Sequence, residues 1–72
     1  MLQIGSKGED VRRLQDGLNR VFPSYSRLVE DGSFGRATEA VVKEFQRRVN
    51  LTADGVVGTR TREALNKNGV RF

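Results

Sequence analysis

The sequence predicts an all-α fold, a compact three-helix bundle that forms one small domain. Apolar residues recur at helical spacing in two long segments, and an eight-residue motif occurs twice, each time leading into the first turn of a predicted helix. The 72 residues leave room for one hydrophobic core. We therefore expect residues 1–72 to be a single domain with helices over about residues 9–22, 36–49 and 59–68.

The first helix is predicted from its charged start and its apolar stripe. Glu9 and Asp10 follow a glycine-containing loop, and acidic residues favour the first turn of a helix. Pro23 ends the helix because it cannot continue the hydrogen bonding and restricts the residue before it. The stripe, with a period of about 3.6 residues, consists of Val11, Leu14, Leu18, Val21 and Phe22.

The second helix follows a polar connection over residues 24–32, in which only Leu28 and Val29 are apolar anchors. Glu39 lies near the start of this helix, where an acid suits the helix dipole. Asn50 stands where a helix often finishes in the left-handed conformation, which asparagine tolerates. The apolar residues at helical spacing are Val41, Val42, Phe45 and Val49.

The third helix is short, and Ala64 and Leu65 are its inward-facing residues. At roughly ten residues it is marginal on its own, so packing on the other two helices must hold it. Gly69 is the expected stop signal. Val70 and Phe72 are expected to fold back as a tail contact.

The repeated motif has the pattern D-G-x-x-G-x-x-T, in residues 31–38 and again in residues 54–61. Asp-Gly favours a tight turn, and the second glycine leads into the next helix. Phe34 and Val57 are expected to point into the core. We expect the threonine hydroxyl and the aspartate carboxylate to accept backbone N–H groups at the helix start.

The composition argues against catalysis within this chain. The absence of histidine and cysteine removes the commonest metal ligand, the usual general base and any thiolate metal site, so we expect no metal and no cofactor. A carboxylate pair such as Asp31 and Glu39 would need a walled cleft to act on a sugar, and one small core has little room for it. No apolar stretch approaches the roughly 20 residues of a membrane span, and no signal pattern opens the sequence, so export would be arranged elsewhere.

Several motifs in a fixed order resemble those of a known family. The sequence has G-x-x-G-x-D-V-x-x-L-Q-x-x-L over residues 5–18, then the first motif, V-x-x-F-Q over residues 42–46, and the second motif. In this order they resemble the peptidoglycan-binding-domain-like family, the cell-wall-binding module of bacterial amidases, phage lysins and spore-cortex hydrolases. Two departures are Arg20-Val21-Phe22-Pro23, where the family often has a glycine near the end of the first helix, and Asn50, where it often has glycine.

The resemblance implies a non-catalytic, monomeric module that binds bacterial peptidoglycan and targets an attached or partner hydrolase to the cell wall. The net charge of +4 fits DNA phosphates, wall teichoic polymers, the carboxylates of peptidoglycan stem peptides or a solvated surface equally well. With the resemblance, we expect arginines such as Arg36 and Arg60 to meet stem-peptide carboxylates where the two motif loops approach each other. The candidate ligand-binding residues are Gln15, Tyr25, Asp31, Arg36, Gln46, Asp54 and Arg60.

Three of these side-chain types leave two interpretations open. Asp31 and Asp54 either contact amino or hydroxyl groups of the wall or fix turns, and the flanking glycines favour turns. Gln15 and Gln46 either bind loop backbone or contact muramyl peptide. Tyr25 either stacks on a sugar ring or packs on the core.

The alternative function is nucleic-acid binding, because three short helices with a positive net charge can form a helix-turn-helix. The predicted second helix carries Lys43, Arg47 and Arg48, but Glu39 and Glu44 interrupt this positive face. No helix has the cluster of Arg, Asn and Gln that reads base edges. The sequence therefore favours the cell wall over DNA.

Overall fold

The computed structural model describes all 72 residues and contains three helices. Helix α1 spans Glu9–Val21, α2 spans Arg36–Arg48 and α3 spans Thr59–Lys67. Each helix begins at the residue expected from the sequence and ends one residue earlier. The all-α, three-helix prediction is confirmed, and none of the helices has the length and apolar character needed to cross a bilayer.

Helices α2 and α3 end in the same way. Asn50 has a φ of 61° and Gly69 a φ of 97°, so each reverses the chain in the left-handed conformation. The next N–H donates back across the turn, from Leu51 to the Gln46 carbonyl at 2.8 Å and from Val70 to the Leu65 carbonyl at 2.9 Å. Both ends are Schellman motifs with an apolar residue after the reversal.

Helix α1 ends differently. Pro23 follows Phe22, and the carbonyl of Phe22 accepts the N–H of Ser26 at 2.8 Å. Val21 is 37% exposed, so its assignment to the buried stripe is wrong, because it lies on the last turn, where the helix leaves the core. Val29 is 76% exposed and does not anchor the connection, whereas Leu28 packs against the core as expected.

The core lies between the three helices and includes one residue from each motif, because Phe34 and Val57 point inward as expected. Val70, from the tail, is fully buried. Gly17 makes room for it, since a Cβ at position 17 would lie 2.6 Å from Val70 Cγ1. The buried cluster consists of Val11, Leu14, Leu18, Phe34, Val41, Val42, Phe45, Val57, Leu65 and Val70.

The N-terminal segment, residues 1–8, connects the two motif segments. Leu2 and Val57 form an antiparallel bridge with hydrogen bonds of 2.8 and 3.1 Å. Farther along, Ser6 accepts the N–H of Phe34 at 2.9 Å. These backbone hydrogen bonds attach both motif loops to the N-terminal segment.

Candidate functional site

Gln15, on the buried face of α1, organises the first motif loop. Its Nε2 donates to Thr38 Oγ1 at 3.1 Å, to the Ser33 carbonyl at 3.0 Å and to Asp31 Oδ1 at 3.3 Å. Its Oε1 accepts the N–H of Gly32 at 2.9 Å. The side chain is fully buried, so α1 is tied to the loop and to the first turn of α2.

Gln46, on the buried face of α2, repeats this network in the second motif loop. Its Nε2 donates to Thr61 Oγ1 at 3.1 Å, to the Val56 carbonyl at 3.0 Å and to Asp54 Oδ1 at 3.0 Å. Its Oε1 accepts the N–H of Gly55 at 2.9 Å. The two networks use the same atoms in the same order, so the repeated unit is a glutamine from the preceding helix together with the loop.

The aspartates and threonines of the motif do not cap the helices as expected. Gly35 and Gly58 occupy the N-cap positions, and no side chain bonds to the first turn of α2 or α3. Thr38 and Thr61 accept from the glutamines instead, because their hydroxyls are buried and face the amide groups. The hydroxyls therefore close the buried network and leave the first-turn N–H groups unoccupied.

Each aspartate carboxylate folds back on its own loop. Asp31 Oδ1 accepts the N–H of Ser33 at 2.9 Å, and Asp54 Oδ1 accepts the N–H of Val56 at 2.9 Å. These backbone bonds, and next the glutamine amides, hold the pKa of Asp31 and of Asp54 below its ordinary value. Both residues are exposed, but one oxygen of each carboxylate serves the turn.

Gln15 and Gln46 have no exposed surface. Every polar atom of the two amide groups is hydrogen-bonded to the motif loops or to the motif threonines, which favours the interpretation as structural partners of the loops.

Tyr25 packs rather than presenting a free ring. It stacks on Phe22 with ring centroids 5.4 Å apart, and the guanidinium of Arg48 lies 4.4 Å from its ring centroid. Its hydroxyl is buried without a hydrogen-bond partner in the protein, and burial raises the pKa of Tyr25. Sugar stacking would require Arg48 to move.

The two candidate arginines are exposed and unpaired. Arg36 is the first residue of α2 and Arg60 is the second residue of α3. The five ion pairs of the molecule all join neighbours within one helix, and neither arginine takes part. Both guanidinium groups are therefore free to meet an anion.

An open concavity of about 430 Å³ lies between the end of α2 and the start of α3. We call it the α3 groove. It brings together two of the candidate residues, Asp54 and Arg60, with the left-handed Asn50. The lining residues are Met1, Asn50, Leu51, Thr52, Asp54, Val56, Gly58, Thr59, Arg60 and Thr61.

A second concavity lies next to the α3 groove, on the outer face of α3. This second concavity, of about 630 Å³, shares Leu51 and Arg60 with the α3 groove and adds Glu63, Ala64 and Lys67 among its lining residues. Arg60 therefore stands at the junction of the two concavities, where one guanidinium can reach a ligand lying in either.

The two motif loops line different concavities. Asp31 borders a shallow one of about 520 Å³, together with the ion-paired Glu9 and Arg12, and Arg36 is not among the residues of the α3 groove. The candidate residues thus form three sets. Two are exposed at the second loop (Asp54 and Arg60), two are exposed at the first loop (Asp31 and Arg36), and three are buried or packed (Gln15, Gln46 and Tyr25). Sequence reasoning missed Asn50, Thr52 and Thr59 as groove residues.

The basic residues of α2 do not form a free positive face. Arg47 and Arg48 each pair with Glu44 at 2.9 Å, and Arg48 also covers Tyr25. Glu44 thus interrupts the basic side that the nucleic-acid alternative would need. No group of three or more His, Cys, Asp or Glu side chains is arranged to hold a metal ion.

The fold and site define a small domain in which a unit of loop, helix and buried glutamine occurs twice, and the second copy borders an open polar groove. A family model described as "Putative peptidoglycan binding domain" matches residues 7–65. The chain belongs to this peptidoglycan-binding-domain family.

Relatives and a solved structure agree with this assignment. The chain is 43% identical over 60 residues to a zinc D-Ala-D-Ala carboxypeptidase of Streptomyces albus G, with 83% of this chain and 24% of that protein covered. It is 34% identical over 67 residues to a spore cortex-lytic enzyme of Bacillus cereus, with 93% and 25% covered. The crystal structure of the SleB N-terminal domain superposes with a TM-score of 0.82 at 35% identity, covering 92% of this chain and 88% of that one.

The chain spans about a quarter of the length of these curated relatives. The family match covers residues 7–65, so this chain is a peptidoglycan-binding module. Its place of action is the cell wall.

Proposed function

We propose that the chain holds a cell-wall hydrolase, joined to it in cis or bound to it in trans, against bacterial peptidoglycan. A module that binds the wall keeps its enzyme at a high local concentration near the bonds to be cut. The groove is built from residues of one chain, so a monomer suffices.

In this proposal, peptidoglycan binds in the α3 groove. The observation that supports this surface is the unpaired guanidinium of Arg60. A guanidinium without an acidic partner at the rim of a concavity suits a carboxylate, which it can bind with two parallel hydrogen bonds. Stem peptides of peptidoglycan carry such carboxylates. The first turn of α3 adds unoccupied N–H groups of the sign that favours an anion.

Polar groups along the groove suit the uncharged part of the same ligand. Thr52 and Thr59 offer hydroxyls, Asn50 an amide, and the second oxygen of Asp54 an acceptor. Such groups pair with the hydroxyls of the sugars and the amides of the peptide. Leu51 gives a small apolar surface at the junction with the second concavity.

The experiment is co-sedimentation of the purified chain with sacculi stripped of other polymers. The wild type is expected in the pellet at low salt. Arg60→Ala is expected to weaken binding at least about tenfold, because a hydrogen bond to a charged group contributes about 1.5–3 kcal/mol. The matched control is Arg27→Ala, which removes the same charge from an exposed position outside the groove.

Two results separate the parts of the proposal. If the wild type stays in the supernatant, peptidoglycan binding by this chain is refuted. If Arg60→Ala binds as well as Arg27→Ala, the groove is the wrong surface. Arg36→Ala tests whether the first motif loop shares the contact, and we expect it to behave like the Arg27 control.

A further inference from the structure

Three arginines line a concavity that is separate from the α3 groove. Arg13 and Arg20 lie on α1, and Arg71 lies in the tail. The concavity measures about 480 Å³ and shares no residue with the α3 groove. We call these three residues the arginine patch.

Gly17, Val21 and Gly69 line the concavity between the arginines. Gly17 lies four residues after Arg13 and three before Arg20, which places it between them on one helix face. Gly69 borders the concavity from the tail. Val70 packs into the space that a side chain at position 17 would fill, and Val21 is partly exposed beside Gly69, so the space between the guanidinium groups has a small apolar floor.

The tail holds Arg71 in place from both sides. Val70 before it is fully buried against Gly17. Phe72 after it is held by Arg62, whose guanidinium lies 4.5 Å from the Phe72 ring centroid and whose Nη2 donates to the Phe72 carbonyl at 2.7 Å. Arg71 is therefore an exposed cation on a backbone anchored at its two neighbours.

The charges of the concavity are not balanced internally. Asp16 is the acidic residue of the lining and pairs with Arg20 at 3.4 Å. Arg13 has a longer contact of 3.6 Å with Glu9, which also pairs with Arg12. Arg71 takes part in no ion pair. Three guanidinium groups against one carboxylate leave a net charge of +2 around the concavity.

We propose that the arginine patch binds a phosphodiester polyanion of the cell wall. Arginine forks match phosphate oxygens with paired hydrogen bonds, and adjacent cations favour a ligand whose anionic groups repeat along a chain. A stem peptide has isolated carboxylates, whereas a polymer of polyol phosphates presents successive phosphates. The choice of a wall polymer rests on the proposed action of the chain at the wall.

The test compares stripped sacculi with sacculi that retain their polyol-phosphate polymer. The double variant carries Arg13→Gln and Arg71→Gln. No acidic residue loses its ion pair, because Glu9 still pairs with Arg12 and Asp16 still pairs with Arg20. The matched control is Arg27→Gln with Arg47→Gln, which removes the same charge elsewhere. Purified poly(glycerol phosphate), duplex DNA and vesicles with anionic lipid serve as competitors.

The wild type and the control are expected to bind polymer-bearing sacculi more tightly than stripped sacculi. The arginine-patch variant is expected to bind polymer-bearing sacculi about fivefold more weakly than the wild type does. The variant should bind stripped sacculi as the wild type does, which keeps this test separate from that of the groove.

Three results would overturn the inference. The patch is refuted if its variant and the control lose the same share of binding to polymer-bearing sacculi. It is also refuted if the variant loses as much binding to stripped sacculi as to polymer-bearing sacculi. A specific wall polymer is refuted if DNA or anionic vesicles compete as well as poly(glycerol phosphate) at equal phosphate.

Discussion

The side-chain amide of Gln46 donates to the hydroxyl of Thr61 at 3.1 Å, and this bond joins the buried face of α2 to the first turn of α3. Gln15 and Thr38 make the same bond between α1 and α2. The three helices are thus held in series by two buried amides. A domain of this size has a small core, so buried polar bonds make up a large share of its specific contacts.

We expect Gln46→Leu to lower the free energy of unfolding by about 2–4 kcal/mol, because it leaves the buried Gly55 N–H and Val56 carbonyl without partners. Gln15→Leu should have a similar effect in the first loop. Urea denaturation followed by circular dichroism measures both. Gln3→Leu is the matched control at an exposed position, and losses below about 1 kcal/mol in both buried variants would contradict the structural role.

Much of the fold follows from the sequence, because helix periodicity and stop signals are local. Pro23 and Gly69 mark the ends of α1 and α3, and the stripe of α2 is visible in the sequence. The sequence leaves the role of Gln15 open, since its partner Thr38 lies 23 residues away and only the packed helices bring the two together. Local rules assign the threonines to the helix caps, because such rules consider the nearest N–H groups and not a distant amide.

The candidate site was harder to predict than the fold. Arg60 and Asp54 were expected to contribute and do line the α3 groove, but the groove also needs Met1, which comes near Gly58 through the bridge of Leu2 with Val57. A contact between two loops and a distant chain end has no periodic signal. Exposure of unpaired arginines is likewise visible only after the ion pairs have formed.

Gly17 and Val70 offer a test of packing at the tail. Alanine favours a helix over glycine by about 1 kcal/mol, but its Cβ would lie 2.6 Å from Val70 Cγ1. We expect Gly17→Ala to destabilise the domain by a net of about 1–2 kcal/mol, because overpacking outweighs helix propensity. In a Val70→Ala background the same change should be neutral or stabilising. A double-mutant cycle by urea denaturation measures this coupling.

The depressed pKa of Asp31 and of Asp54 predicts a loss of stability in acid. A folded-state pKa below the unfolded one adds stability above the unfolded pKa, and this stability disappears as the pH falls through the folded pKa. The loss should therefore begin near the ordinary value of 3.8 and continue below it. Asp31→Asn with Asp54→Asn keeps the turn acceptors and should flatten the change between pH 5 and pH 2 in thermal melts.

Glu9 and Glu44 also have a lowered pKa, chiefly from side-chain hydrogen bonds with Arg12 and Arg48. The paired substitution Glu9→Gln with Glu44→Gln is the control for acid loss from helix ion pairs. If it flattens the pH profile and the Asp31 and Asp54 substitutions do not, the turns are not the acid-sensitive element.

Tyr25→Phe should leave stability unchanged or raise it by up to about 1 kcal/mol, because the hydroxyl is buried without a partner. The ring would still stack on Phe22 and lie under Arg48. Thermal melts measure the stability, and co-sedimentation should show wild-type binding. A loss of sacculus binding with an intact melt would mean that the hydroxyl contacts the wall.

Asn50 and Gly69 occupy the same position of two Schellman motifs, with φ values of 61° and 97°. Asparagine tolerates this conformation less well than glycine does, so Asn50→Gly should raise the free energy of unfolding by up to about 1 kcal/mol. Gly69→Asn should lower it by a comparable amount, since its φ is farther from the region that asparagine favours. Asn50→Ala removes the side chain that eases the strain and should destabilise the domain. If Asn50→Gly is instead destabilising, the Asn50 side chain stabilises the fold by a contact that the backbone geometry does not require. Sacculus binding is a separate readout, because the Asn50 amide lines the α3 groove and its loss is expected to weaken binding at any stability.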